Sequence, residues 1–214
     1  AGMVFTDPVG GELVHAPAYL SGDVRGKLES AKARAADEPA FQANVDALAA
    51  VLPPALGVED ITARLGAVWI SERIHEDFLN AILKTSDVRV ENALPGMWEV
   101  RGGRVGVLST SEWGTERRPA PDIAQAVMEQ KTLLVYDEVE DVGGKIRRVL
   151  NPIETTAAQE KADLIQERFG EWVWEDPARA AALVEEYNRR FNSIVLRDYS
   201  DAGDYLSLPG MAAS

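Results

Sequence analysis

Two proline-opened helices in the last third of the chain constrain its fold more than any other feature. From Pro152 a helical pattern runs without a break through "IETTAAQEKADLIQERFGEWVW". It restarts at Asp176-Pro177 and continues to Phe191. Aspartate suits the N-cap and proline the first helical position, where a missing N–H costs nothing. Phe169, Trp172, Tyr187 and Phe191 recur at helical spacing and read as core-facing.

Upstream, a helix is expected to open near Asp23 in "SGDVRGKLESAKARAA". A second should start at Pro39, with Phe41, Val45, Leu48 and Leu52 on one face, and stop at Pro53-Pro54. "VEDITARLG" suggests a short helix closed by Gly66, and "SERIHEDFLNAILK" a helix N-capped by Ser71. The first 85 residues thus read as all-helical. Beyond Asp87, "VRVENALPGMWEVRGGRVGVLS" has the alternation and turn residues of a small antiparallel meander. "APDIAQAVMEQ" reads as a helix and "TLLVYDEVEDVGGKIRRVL" as two strands around a Gly-Gly turn. The expected class is α+β: a helical lobe over 1–85, a mixed lobe with a small antiparallel sheet and long C-terminal helices over 86–200, and an extended tail over 201–214.

The chain of 214 residues is 46% hydrophobic and 27% charged, the balance of a globular protein with ample core. Lacking cysteine, it has no disulfide and no thiolate chemistry. No apolar run approaches the ~20 residues that cross a bilayer, and "AGMVFTDPVGGELVH" lacks the pattern of a secretory signal. A cytoplasmic protein without a membrane partner is expected. Net charge is −13 and spread along the whole chain, so a polyanion could be held only at a local basic patch.

Enzymatic motifs are incomplete. "LLVYDE", residues 133–138, has the outline of a strand delivering Asp137 to Mg²⁺, but no glycine-rich phosphate loop ending in Lys-Ser/Thr accompanies it. His15 and His75 are far apart, and "HEDFL" lacks a second zinc-binding histidine. There is no G-x-S-x-G elbow and no glycine-rich dinucleotide loop. Acid pairs such as Glu59-Asp60 and Glu185-Glu186 follow from composition. No cofactor or metal is expected in this chain.

What remains is a set of aromatic and basic residues. "EWGTERRPAPD" sets Trp113 ahead of Arg117 and Arg118; "KIRR" supplies Lys145, Arg147 and Arg148; "YNRRFN" supplies Asn188, Arg189, Arg190 and Asn192, with Arg197 following. Guanidinium forks bind phosphate, asparagine amides contact bases or phosphates, and aromatic faces stack on unpaired bases. Equally, Arg189 and Arg190 lie in a helix's last turn, where cations offset the dipole with no ligand at all. Trp113 is the member that packing explains least.

At these stretches the chain resembles a known family. "YLSGDVRGKL", "WGTERRPAPDI", "VLNPIETTAAQEKADLIQERFGEWVWEDPARAAALVEEYNRRFN" and "YLSLPGM" are similar to the central region of large DNA methylase–helicase fusion proteins of phages, plasmids and other mobile elements, some linked to antirestriction. In those, an N6-adenine methylase precedes this region and a swi/snf-type helicase follows it. The resemblance spans roughly residues 19 to 211. It implies ATP, Mg²⁺ and S-adenosylmethionine as cofactors of the parent, and DNA and the flanking methylase and helicase modules as partners. The methylase's Asn/Asp-Pro-Pro-aromatic tetrapeptide and the helicase's phosphate loop and D-E-x-H box are missing here. The chain therefore reads as a non-catalytic connector, a piece of a longer polypeptide, that positions DNA between two engines. A protein-docking module without DNA contact is the alternative, and an acidic DNA mimic a third.

Overall fold

The computed structural model describes residues 3–141 and 144–197. Helices combine with small antiparallel two-stranded sheets in an α+β chain, and its longest helices, α6 (Pro152–Glu175) and α7 (Pro177–Phe191), lie toward the C-terminus as expected. The tail expected over 201–214 falls outside the described residues. The chain forms two units: residues 1–57 together with 185–214, and residues 58–184. No helix among the described residues is long and apolar enough to cross a membrane.

The first unit opens on a hairpin of β1 (Val4–Thr6) and β2 (Leu13–His15), with Phe5 opposite Val14. The Asp7 carboxylate closes the turn by accepting from the amides of Val9 and Gly10, which hold its pKa below the usual carboxylate value. After a single turn, α1 (Ala16–Tyr19), come β3 (Gly22–Asp23) and α2 (Val24–Asp37). Asp23 caps α2 by accepting from Gly26 N–H at 2.9 Å, where the sequence pattern places the start. Pro39 opens a 3-10 turn, Pro39–Phe41, which leads into α3 (Gln42–Val51). Phe5, Tyr19, Val24, Leu28, Ala31 and Leu48 make the core. Phe5 stacks on Tyr19 at 4.9 Å, and buried Asn44 donates to the Tyr19 hydroxyl and the Thr6 carbonyl. From the far end of the chain, β8 (Ile194–Val195) pairs antiparallel with β3. These strands correct the all-helical reading of residues 1–85. At two or three residues each, they are too short to show alternation, and β3 finds its partner only through the fold.

In the second unit "VEDITARLG" holds no helix beyond a 3-10 turn, Val58–Asp60. Gly66 instead has φ +86° and passes so close to the following layer that a Cβ would lie 2.4 Å from Met128 Cα. α4 (Glu72–Leu83) starts after Ser71, whose backbone is extended as a cap's should be but whose hydroxyl makes no cap bond. The α4 face of Phe78, Leu79, Ile82 and Leu83 is buried in this unit's core, against β4 (Arg89–Leu94) and α6. That packing moves the expected boundary near residue 85 back to 57. Periodicity shows that α4 has an apolar face, not which lobe receives it. β4 pairs antiparallel with β5 (Met97–Arg101), Val90 opposite Val100. No third strand completes a meander: Gly102 and Gly103, both at positive φ, turn the chain into a π-helical turn, Leu108–Glu112. α5 (Ala120–Met128) then packs on β5 and α6, and β6 (Tyr136–Glu140) and β7 (Ile146–Leu150) form the expected hairpin. Trp98, Ile123, Ile165, Phe169 and Val173 fill the centre, with Phe78 and Phe169 edge to face at 5.1 Å.

Candidate nucleic-acid interface

The candidate residues fall into two groups, one in each unit. In the second unit the group is built on the segment entering β6. Asn151, the N-cap of α6, accepts from Glu154 N–H at 3.0 Å. One turn on, Thr155 Oγ1 accepts from Val135 N–H at 3.0 Å, and Gln159 donates to the Leu133 carbonyl. This ladder of polar side chains along the first turns of α6 fixes residues 133–137, with Leu133 and Val135 buried in the core.

Onto the opposite edge of the same segment folds the loop 113–119. Gly114 makes the loop possible: a Cβ there would lie 2.2 Å from the Ser109 carbonyl oxygen and 2.5 Å from Ala120 N. Arg117 reaches β6 with a bidentate grip, Nη1 to Asp137 Oδ1 at 2.8 Å and Nη2 to the Tyr136 carbonyl at 2.7 Å. Arg118 Nη2 donates to the Leu134 carbonyl at 3.0 Å. Asn151 donates to the other oxygen of Asp137, so Arg117 first and Asn151 second hold that carboxyl's pKa down. Both Asp137 oxygens are thus committed to protein partners, a structural use of the residue that the "LLVYDE" outline offered to Mg²⁺. Trp113 caps the π-helical turn, its N–H donating to the Leu108 carbonyl at 2.9 Å, and its half-buried ring packs against the core. Packing is therefore its role in the structure, in place of the exposed stacking face expected from sequence.

Lys145, Arg147 and Arg148 line the second strand of the hairpin and are exposed. Arg147 pairs with Asp141 at 2.8 Å. The Arg148 guanidinium lies 4.9 Å from the centroid of the Tyr136 ring, directly across the sheet from Glu138.

The first unit holds the other group. Asn188, buried at 4% exposure, brackets Leu56 by accepting its N–H and donating to its carbonyl, both at 2.9 Å. Asn192 donates to the Pro54 carbonyl at 2.7 Å and to Asn188 Oδ1 at 2.8 Å. Its own carbonyl accepts from Arg25. Both side-chain amides are engaged within the chain. Arg189 and Arg190 both turn back onto Glu186, Arg189 Nε lying 3.0 Å from Oε2 and Arg190 Nε pairing with Oε1. Their combined pull, Arg189 foremost, lowers the Glu186 pKa. Arg197 is exposed beyond β8, and its charge joins burial in lowering the Lys27 pKa.

The sequence pattern offers Asp137 only as a metal ligand and Glu186 only as one of an acid pair, and says nothing of Tyr136 and Asn151, yet these groups occupy the cations or position their partners. Glu186 was within reach, since it stands three and four residues before Arg189 and Arg190 on one helix. Asp137 and Tyr136 were not, because their meeting with Arg117 and Arg148 depends on tertiary folding.

A family described as a domain of unknown function (DUF8437) matches residues 64–193, more than half of the chain and every candidate residue except Arg197. No curated protein and no solved structure matches it. The chain belongs to the DUF8437 family.

Proposed function

We propose that this DUF8437 member is a non-catalytic cytoplasmic connector that docks other protein segments and makes no specific grip on DNA. The observation that carries the reading is the internal use of the candidate cations. Arg117 and Arg118 tie a loop to β6, Arg189 and Arg190 share Glu186, and Asn188 and Asn192 bracket the backbone at 54–56. A guanidinium already paired gains little by exchanging its carboxylate for a phosphate, and the net charge of −13 opposes any polyanion that approaches. The resemblance to the region between methylase and helicase modules of mobile-element proteins supplies the partners: those two flanking modules. ATP, Mg²⁺ and S-adenosylmethionine belong to them in this reading, and this chain takes no cofactor of its own.

Mobility-shift titration of duplex and single-stranded DNA at several salt concentrations tests the reading, with the R189A/R190A double variant in parallel. Exposed ion pairs of this kind contribute roughly 0–1 kcal/mol, so the variant stays folded. The expected result is no specific shift and no difference between the two proteins. A salt-dependent shift whose log–log slope falls by about two in the variant would establish DNA binding at α7 and end the docking reading.

A further inference from the structure

We propose that the outer edge of β7 receives an extended acidic peptide segment as a third strand beside β6 and β7. The inference rests on the docking reading and names the surface and the partner chemistry.

Hydrogen bonding shows which edges of the second unit are open. In the β6–β7 hairpin, Asn151 N–H donates to the Val135 carbonyl at one end and Asp141 N–H to the Lys145 carbonyl at the other. The register between them places Arg147 and Val149 in the ladder and turns the backbone of Ile146, Arg148 and Leu150 outward. Other strands in this unit meet side chains along part of their edges. On β4, Glu76 accepts from Val90 N–H and Glu72 from Asn92 N–H. On β5, Gln125 accepts from Val100 N–H. At the start of β6, the Leu134 and Tyr136 carbonyls receive Arg118 and Arg117. Among the described residues, nothing takes up the outward N–H and C=O groups of β7, and all five of its residues are exposed. Uncovered edges are ready templates for strand addition, and although β6 is also open at Glu138 and Glu140, its carboxylates there repel an acidic segment.

Charge selects the occupant. Lys145, Arg147 and Arg148 sit on the β7 side, whereas the hairpin's acids, Asp137, Glu138, Glu140 and Asp141, sit on the β6 side or its turn. A second copy pairing β7 with β7 antiparallel would set arginine against arginine, a destabilising arrangement. Ile146 (64% exposed), Arg148 and Leu150 (44%) share one face of β7, so an added strand that sets a carboxylate opposite Arg148 between aliphatic residues opposite Ile146 and Leu150 complements that face, while acids at its intervening positions face the side of Lys145 and Arg147.

The probe is an end-blocked peptide with the palindromic core Val-Glu-Glu-Glu-Val, followed by fluorescence anisotropy and amide exchange on the intact chain. Binding should slow exchange at Ile146, Arg148 and Leu150 while leaving Arg147 and Val149 unchanged. It should weaken by about tenfold or more in three comparisons: lysine replacing glutamate, alternate N-methylation of the peptide, and I146P. Proline at 146 removes an outward N–H and leaves the internal ladder intact. R148E should reverse the preference between the glutamate and lysine peptides. Absence of binding, or binding indifferent to N-methylation and I146P, overturns the proposal. If the methylase and helicase modules co-purify equally with wild type, I146P and R148E, docking stands and the β7 assignment falls.

Discussion

His75 carries an imidazole into the centre of the second unit with 0% exposure. Neither ring nitrogen has a hydrogen-bond partner, and the ring rests between Trp98 at 4.8 Å and Phe169 at 5.3 Å. Burial lowers its pKa from 6.5 to about 4, and the nearby Ala67 carbonyl offsets only part of that effect. Above pH 6.5 both folded and unfolded chains hold a neutral imidazole, so the group imposes no pH dependence. Between 6.5 and 4 the unfolded chain takes up a proton that the folded chain refuses, and stability falls by about 3 kcal/mol from this residue alone. The expected outcome is that His75→Leu, compared with wild type by urea denaturation across pH 7 to 4, loses that share of the decline. Parallel pH profiles would show that the imidazole is solvated or partnered in solution. Nothing in "HEDFL" distinguishes this residue from an exposed helix histidine, the reading its polar neighbours favour. Its burial follows from which side of α4 meets α6.

At the scale of elements, the last turns of α7 act as a bracket on residues 53–56. Asn188 satisfies both backbone groups of half-buried Leu56, so Asn188→Ala removes the partner of its N–H and of its C=O together. The expected cost is about 2–3 kcal/mol in denaturant unfolding; a loss under about 0.5 kcal/mol would mean that water replaces the amide without penalty. The contrast with Arg189 and Arg190, one and two residues further on, shows how little residue type alone says. All three belong to one polar run, "YNRRFN". Helical rotation sends the asparagine inward and leaves the arginines at the surface with Glu186.

Elements were legible where local physics decides them. Pro152, Asp176-Pro177 and Asp23 mark helix starts because proline and aspartate act on their immediate neighbours. Gly66 and Gly102-Gly103 were misread because their glycines answer to non-local packing, at Met128 and against Asp87 and Val88. The candidate site divides the same way. The sequence identified the cations, but their partners come from residues 19 and 20 positions away for Arg117, and from within one helical turn for Arg189.

At the scale of the molecule, the first unit is discontinuous, joining residues 1–57 to 185–197 through the β3–β8 pair and the Asn188 bracket. Residues 58–184 hold their own core, with its aromatic cluster and three packed helices. A chain ending at residue 184 should therefore lose amide protection over residues 3–57 while keeping it over α4, α5 and α6, as read by hydrogen exchange. Protection retained over α2 and α3 would show that the first unit stands without its C-terminal strand and bracket.

The same discontinuity sets a timetable during synthesis. The ribosome releases Phe5, Tyr19 and Leu48 well before it has made the β8 strand and the asparagines that complete their surroundings. At ordinary elongation rates the wait lasts on the order of ten seconds. Residues 58–184 can mature in that interval, so of the two units the one whose synthesis starts first is the last to be locked.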